Sequence, residues 1–442
     1  MHFPRDFLPR QLTDVPADGR CWVAYSGGVD SHVLLHALTA LRPGLPFRVA
    51  AVHVNHGLQA AAGAWDEHCR TVCAGLDVPY VSLQADGRPA AGESREAAAR
   101  AARYAVLKSW LPLRHYLITA QHQDDQAETL LLQLLRGSGV KGLASMPRLA
   151  PFGGGFLLRP LLGCTHGALL DYARANGLVW VDDPSNEDIS LDRNYLRRQV
   201  LPLLRLRWPA MSATLSRSAR HCAEAALMLD DLASQDLGTL VDQSKDTLPV
   251  SGLLGLCPER QRNALRHWLM GRRGMIPSEA VLSRIVNDIL GSRMDAEACV
   301  RWGACELRRY RDRLYLLQRV TRQDTLTSLD WQPEEPLELP QSGGVLSARR
   351  RMGSGVRVAS LVGAKVRVSW RRGGERCRPA GRRHHHALKK LFQESGIPPW
   401  ERGRIPLVYI DAELAAVGDL WVCDPFSAGV DEPGLIMHWD RG

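Results

Sequence analysis

The sequence predicts an α/β protein: a parallel sheet covered by helices over residues 1–208, a mainly helical domain over 209–322, a linker with some extended structure over 323–345 and a small, basic α+β domain over 346–442. Three observations carry this reading. From Cys21 to Trp208 strand-like apolar runs alternate with helix-period runs, as successive βα units require. Ser26-Gly27-Gly28-Val29-Asp30-Ser31 lies between an apolar run and an amphipathic one, which makes it a strand–turn–helix junction. Late in the chain, residues 365–404 hold twelve Lys or Arg against three Glu.

Bulk properties narrow the function classes. With 442 residues the chain has room for two to four domains at ~150 residues each. A composition 45% hydrophobic and 23% charged is that of a globular protein. The formal charge of +9 favours a polyanionic partner. Ten cysteines (Cys21, Cys69, Cys73, Cys164, Cys222, Cys257, Cys299, Cys305, Cys377 and Cys423) show no paired spacing and read as free thiols of a reducing cytosol. Cys69 and Cys73, four apart on a predicted helix, read as small buried side chains. Arg5, Asp6, Arg10, Asp14 and Asp18 interrupt the first twenty residues, and no later run of ~18 apolar residues occurs. A cytoplasmic protein without a membrane partner is expected.

Taken in order, Cys21 to Tyr25 is the first strand and Val29 to Leu41 the first helix. Adjacent glycines between them allow a sharp turn and bring bare N–H groups close to a ligand, and the helix aims its unpaired donors at the same point. That is a cradle for phosphate. No Lys follows in a G-K-[ST] arrangement, so a Walker-type loop is disfavoured. Phe47 to Val54 is the second strand, ending in His53-Val54-Asn55-His56-Gly57-Leu58. His53 and His56 lack further ligands at metal spacing and read as a polar strand-end loop touching nucleotide.

The helix Gly63 to Leu76, the strand Tyr80 to Leu83 and the helix Ser94 to Leu111 follow. The last carries Arg95, Arg100, Arg103 and Tyr104; Arg100 and Arg103 share a face that is either solvated or turned to a ligand. After the fourth strand, Tyr116 to Thr119, the carboxylates Asp124, Asp125 and Glu128 crowd a helix start. The dipole favours some of that charge, but Asp125 and Glu128 share a face and repel unless a cation lies between them. A metal ion, a substrate ammonium or a protein Arg would each serve. Arg136-Gly137-Ser138-Gly139-Val140-Lys141-Gly142-Leu143 is either a phosphate-approaching segment or a surface loop. Leu158 to Leu162 reads as extended, Thr165 as the cap of a helix to Asn176 and Gly177 as its stop. Asp182 to Asn186 reads as a turn and Asp192 to Arg198 as a basic helix start.

Ser26 to Ser31 resembles the PP-loop of the ATP pyrophosphatases, which implies an adenine nucleotide α-hydrolase-like domain and cleavage between the α- and β-phosphates. With His53 to Leu58, Glu93 to Tyr104, Thr119 to Thr129, Arg136 to Met146, Arg159 to Leu162 and Asp182 to Arg198 it resembles, in order, the motifs of the tRNA-isoleucine lysidine synthetases. Gln59 stands where many members have Arg, and Gln121-His122 where many have a His pair. The resemblance implies a two-step reaction: ATP adenylates the C2 oxygen of the wobble cytidine in an isoleucine tRNA with a CAU anticodon, then the ε-amine of free L-lysine displaces AMP. It also implies ATP binding by Ser26, Gly27, Gly28, Val29, Asp30, Ser31, His53, Arg100 and Arg103, and Mg²⁺ on Asp30. Lysine is expected on Asp125 and Glu128, and catalysis from Asp30, Asp125 and Arg193. Only a neutral amine attacks, and its reference pKa is ~10.4, so a base is needed; Asp125 is the expected one. Contacts to tRNA are expected from Arg136, Lys141 and Arg197, and a homodimer from the family alone.

The resemblance continues to the C-terminus. Ser212 to Leu237, Pro258 to Met270 and Ser278 to Leu290 read as helices, Cys299 to Gly303 and Glu306 to Leu317 as short strands. Arg272-Arg273 and Arg308-Arg309-Tyr310-Arg311 are either RNA-facing patches or solvated faces. Arg371, Arg372, Lys389 and Lys390 fall in segments resembling the family's C-terminal domain, and the charge surplus around them suits a phosphate backbone. His384-His385-His386 beside Cys377 reads as a basic loop rather than a metal site. A PP-loop tRNA thiolase would share the adenylation but calls for a reactive cysteine near the loop, and this chain has no convincing one. A non-catalytic RNA-binding protein would have no use for Asp30, Asp125 and Glu128 together.

Overall fold

The structure, a computed structural model, describes residues 7–17, 19–55, 62–88, 95–240, 247–273, 277–293, 298–318, 328–340 and 342–441. Of the expected motif residues, 56–58, Gln59 and Glu93 lie outside them. Two compact units emerge, Met1–Asp236 and Leu237–Gly442.

In the first unit the elements are α1 (Phe7–Gln11), β1 (Arg20–Ala24), α2 (Val29–Ala40), β2 (Arg48–Asn55), α3 (Ala62–Gly75), β3 (Tyr80–Gln84), α4 (Arg95–Trp110), β4 (Tyr116–Ile118), α5 (Gln123–Leu135), α6 (Val140–Leu143), β5 (Leu149–Phe152), β6 (Gly155–Leu158) and α7 (His166–Ala175). Next come α8 (Asp192–Tyr195), a π-helical turn (Leu196–Val200), α9 (Leu201–Arg207) and α10 (Met211–Leu240). The sheet order is β3-β2-β1-β4-β6-β5, parallel except for β5, which returns antiparallel to β6. Alternate residues of each strand serve opposite faces. Cys21, Val23, Val49, Ala51 and Ile118 join one core with Leu34 and Leu38 of α2, Cys69 and Cys73 of α3 and Leu169 of α7. Trp22, Ala50, Val52 and Leu117 face the other side and pack on Leu107 and on Leu111, just past α4. A small third core of Ala127, Leu201 and Met211 joins α5, α9 and the start of α10.

The second unit begins with β7 (Thr247–Pro249), α11 (Val250–Leu254), α12 (Pro258–Arg273), α13 (Glu279–Arg284) with a π-helical turn (Ile285–Leu290), β8 (Cys299–Trp302), β9 (Cys305–Tyr310) and β10 (Arg313–Gln318). The strands form a small antiparallel sheet, β7-β10-β9-β8, beside these helices. Thereafter the chain is β-rich: β11 (Leu329–Asp330), β12 (Leu337–Glu338), β13 (Val345–Met352), β14 (Val356–Arg357), β15 (Val366–Ser369), β16 (Arg376–Cys377), β17 (His386–Ala387), α14 (Leu388–Glu394), α15 (Pro399–Arg402), β18 (Leu407–Ile410), β19 (Glu413–Val417), β20 (Trp421–Val422) and β21 (Pro433–Asp440).

Several expectations are sharpened or corrected here. In the described part of 323–345 the expected extended structure is paired and packed: β11 pairs with β15, β12 with β13, and Trp331 and Leu339 are buried in the C-terminal core. Arg308 to Arg311 is solvated only in part: Arg311 is exposed, while the others pack inward. Buried Arg309 donates to the carbonyls of Leu290 (3.0 Å) and Ser292 (2.6 Å), Arg308 lies over the Trp400 ring, and Tyr310 and Tyr315 meet that ring edge-on. Cys377 and Cys423 are not free thiols. The fold brings these residues, 46 apart in sequence, to a Cα separation of 5.7 Å as a disulfide, and the other eight cysteines are free. No helix among the described residues is long and apolar enough to cross a membrane.

Candidate active site

The chain runs outward from β1 through β2 to β3, then resumes on the other side of β1 with β4 and β6. Where strand order reverses, the connections leave the C-terminal strand ends in opposite directions and open a crevice. The loop after β1 and the loop after β4 are its two walls.

The first wall is Ser26 to Ser31. Gly27 has φ +84°, and a Cβ there would stand 3.1 Å from Cys69 Sγ, so both conformation and space call for glycine. The Ser26 N–H donates to Ser31 Oγ (3.2 Å), and the Ser31 hydroxyl donates to the Gly28 carbonyl (3.0 Å), closing the loop on itself. Gly28 caps α2 without a side chain, and Val29 is the first helical residue, so first-turn amides remain available to an anion. His53 lies behind this wall. It is buried, its Nδ1 donates to the Tyr25 carbonyl (2.9 Å), and burial lowers its pKa, which keeps the ring neutral while it latches β2 to the end of β1.

The second wall is the start of α5. His122 is the N-cap: its Nδ1 accepts the Asp125 N–H (3.4 Å), while Asp125 Oδ2 accepts the His122 N–H (3.0 Å). With Nδ1 accepting, a ring proton sits on Nε2; burial acts to lower the pKa of this ring, but the surrounding Asp30, Asp125 and Asp124 outweigh it and raise it. That atom lies 3.6 Å from Asp30 Oδ2 and 3.5 Å from Asp125 Oδ2, between the two walls. Asp124 points elsewhere. Its Oδ2 accepts the His166 N–H (2.9 Å), and its Oδ1 accepts the Ser212 hydroxyl (2.5 Å) and pairs with Arg205, so one carboxylate ties α5 to α7, α9 and α10. Burial acts to raise its pKa, but these donors and the Arg205 charge outweigh it and leave the carboxyl below its usual range.

Asp30 stands in the first turn of α2. Burial pushes its pKa up, yet the neighbouring His122, His166 and Arg197 more than compensate, so it stays ionised. Its buried Oδ1 has no hydrogen-bond partner, and His166 Nε2 is 3.6 Å away; burial lowers the His166 pKa. Asp30, His122 and His166 each offer a ligand atom within 4.8 Å of the others. Mg²⁺ prefers oxygen and takes one or two carboxylates with substrate phosphates and water. The unpartnered Asp30 Oδ1 fits that demand, whereas His122 presents an N–H and not a lone pair.

The cation between Asp125 and Glu128 is a protein arginine. Arg197 Nε reaches Glu128 Oε1 (2.7 Å), and Nη2 reaches both Glu128 Oε2 (3.0 Å) and Asp125 Oδ1 (3.0 Å). Arg193, one turn earlier, holds Thr129 Oγ1 (3.0 Å) and lies 3.7 Å from Glu128 Oε2. Glu128 is 1% exposed, and that burial raises its pKa despite the arginines.

The remaining site residues are spread more widely. Arg100 is exposed and lies over the Tyr104 ring; the charge of Arg103 is felt at His53 and Asp183. Arg136 is exposed, 4.0 Å from Asp192, and Lys141 pairs with Asp230 (2.8 Å). In the second unit Arg371 lies 3.5 Å from Glu375, while Arg372, Lys389 and Lys390 are exposed. Sequence reasoning missed His166 and the tying role of Asp124. Thr165 as a helix cap closely following a strand would have placed residue 166 at a strand end, which is where such sites form.

The domain descriptions that match are a PP-loop domain over residues 8–204, a TilS substrate binding domain over 248–315 and a TilS substrate C-terminal domain over 366–439. The tRNA(Ile)-lysidine synthase of Coxiella burnetii is 43% identical over 432 residues, spanning 98% of this chain and 96% of that one. That of Methylococcus capsulatus is 44% identical over 420 residues, spanning 94% and 95%. The chain belongs to the tRNA(Ile)-lysidine synthase family. As a lysidine synthase it is a ligase whose PP-loop domain uses ATP. Among solved structures, the U34-tRNA thiolase NcsA from Methanococcus maripaludis is similar at a TM-score of 0.43 and 15% identity, over 50% of this chain and 77% of that one. The three domain matches of a lysidine synthase fall on the βα sheet, on the helices with their small sheet, and on the β-rich C-terminal part, in that order.

Proposed function

We propose that this crevice joins free L-lysine to C2 of the wobble cytidine in the isoleucine tRNA with a CAU anticodon, giving lysidine, AMP and pyrophosphate. In the first step the C2 oxygen attacks the α-phosphorus of ATP and the P–O bond to pyrophosphate breaks. The Ser26–Ser31 loop and the α2 amides hold phosphate oxygens, with Arg100 and Arg103 complementing their charge. Asp30 would hold Mg²⁺, which when bound offsets charge on the leaving pyrophosphate. In the second step the ε-nitrogen of lysine attacks C2, the C–O bond to AMP breaks, and the nitrogen's proton passes to Asp125. Asp125 and Glu128 hold the lysine, and Arg193, on α8, steadies Glu128 from 3.7 Å away. Arg136, Lys141, Arg371, Arg372, Lys389 and Lys390 offer cations to the RNA backbone.

The observation that carries this reading is the sharing of one crevice by two functions. Asp30 on the phosphate loop and Asp125 at the carboxylate pair flank the same His122 Nε2 at 3.6 Å and 3.5 Å, so nucleotide chemistry and amine chemistry meet over a single imidazole. The test is incubation of the protein with Mg-ATP, radiolabelled lysine and a CAU-anticodon isoleucine tRNA transcript. Label in the RNA with one AMP per lysine is expected. AMP without labelled RNA would point to a different nucleophile, and absence of AMP would remove the enzymatic reading.

A further inference from the structure

Asp125 and Glu128 are already fully engaged. Glu128 is 1% exposed and receives two N–H groups of Arg197, at 2.7 Å and 3.0 Å, and the Arg197 Nη2 that reaches Glu128 also reaches Asp125. One guanidinium therefore satisfies the two acceptors assigned above to the substrate amine. Both cations cannot hold the same lone pairs. Arg193 contributes differently, since its Nη2 is committed to Thr129 and its Nε stands 3.7 Å from Glu128.

The geometry points to Arg197 as a displaceable occupant of the lysine site: substrate amine and Arg197 guanidinium exchange on the Asp125–Glu128 pair, and the exchange sets the lysine requirement. Three features make Arg197 the mobile partner. Its side chain is 43% exposed while the carboxylates are 13% and 1% exposed, so it reaches the pair from the solvent side and can leave by rotating its own χ angles. It belongs to the π-helical turn Leu196–Val200, an irregularity that recurs at functional positions. And when it leaves, the buried carboxylates demand another cation, which couples its departure to the arrival of an ammonium. A site that is filled internally most of the time binds its ligand more weakly by the fraction of time it stands open.

The inference rests on the assignment of the pair to lysine. It is tested by calorimetric binding of L-lysine to the full chain without ATP or RNA, using wild type, Arg197→Ala, Arg197→Gln and Glu128→Gln. The glutamine at 197 keeps neutral donors near Glu128, so at least one variant retains the local fold, which circular dichroism checks. Both Arg197 variants are expected to bind lysine about tenfold more tightly. Millimolar guanidinium ion, refilling the vacated position, is expected to weaken lysine binding to Arg197→Ala and to leave wild type unchanged. Unchanged or weaker lysine binding in folded Arg197 variants overturns the exchange, because an arginine that orients or contacts the substrate would give that result. Unchanged binding in Glu128→Gln overturns instead the lysine assignment beneath it.

Discussion

At the scale of single residues, the three carboxylates at the start of α5 have three environments and should give three different phenotypes. Asp124 is 6% exposed and holds Ser212, Arg205 and the His166 backbone amide. Asp124→Asn is expected to cost about 3 kcal/mol in stability, measured by denaturant unfolding. Its pKa is depressed in the folded chain, so its contribution is full above the ordinary value of 3.8 and is lost as pH falls through the lower folded value. The variant should therefore lose part of the wild-type decline in stability below that pH. Asp30→Ala is expected to abolish AMP formation with little change in melting temperature. Glu128→Ala should leave AMP formation in place and raise the lysine concentration needed for half-maximal incorporation; a normal lysine dependence would reject its role. The types and spacing of these residues were legible in the sequence. Their partners were not, since Arg197 lies 69 and 72 positions from its two carboxylates and only the fold brings them together.

At the scale of elements, alternation and capping signals located most of the first unit. The four expected strands and the helix capped by Thr165 lie within a residue or so of their observed ends, because apolar alternation and cap residues are local properties. The hairpin of β5 and β6 was missed: the extended run expected over Leu158 to Leu162 shares only Leu158 with β6 and then turns, its Pro160 breaking the strand, and β7, three residues long, gave no pattern to read. The basic-aromatic run on β9 is ambiguous in sequence for a physical reason: arginine and tyrosine are as well suited to burying against a tryptophan as to stacking on RNA. Trp400, on α15, is the ring that receives Arg308, Tyr310 and Tyr315. Trp400→Ala should lower stability by about 2–3 kcal/mol, and Trp400→Phe by less, as followed by far-ultraviolet circular dichroism in denaturant. A change in tRNA affinity without a change in stability would instead return this cluster to the RNA surface.

At the scale of the whole molecule, charge distribution was legible as a surplus and illegible as a surface. Of the basic residues expected on RNA, Lys141 is paired with Asp230 and Arg197 is paired inside the crevice, whereas Lys389 and Lys390 stand exposed on α14. The double change Lys389→Ala, Lys390→Ala is expected to reduce the dependence of tRNA affinity on salt by a slope of about two in log–log units, read from binding across a salt series. An unchanged slope would remove this helix from the interface. The contact of Trp400 with Tyr310 and Tyr315 has a consequence for gene products that end early. A chain stopped after β10 would carry the aromatic faces of β9 and β10 bare, an adhesive patch with no partner, and would be cleared by aggregation or proteolysis. Nonsense alleles late in the gene should then behave as nulls, and not as proteins that still bind RNA and poison the intact enzyme.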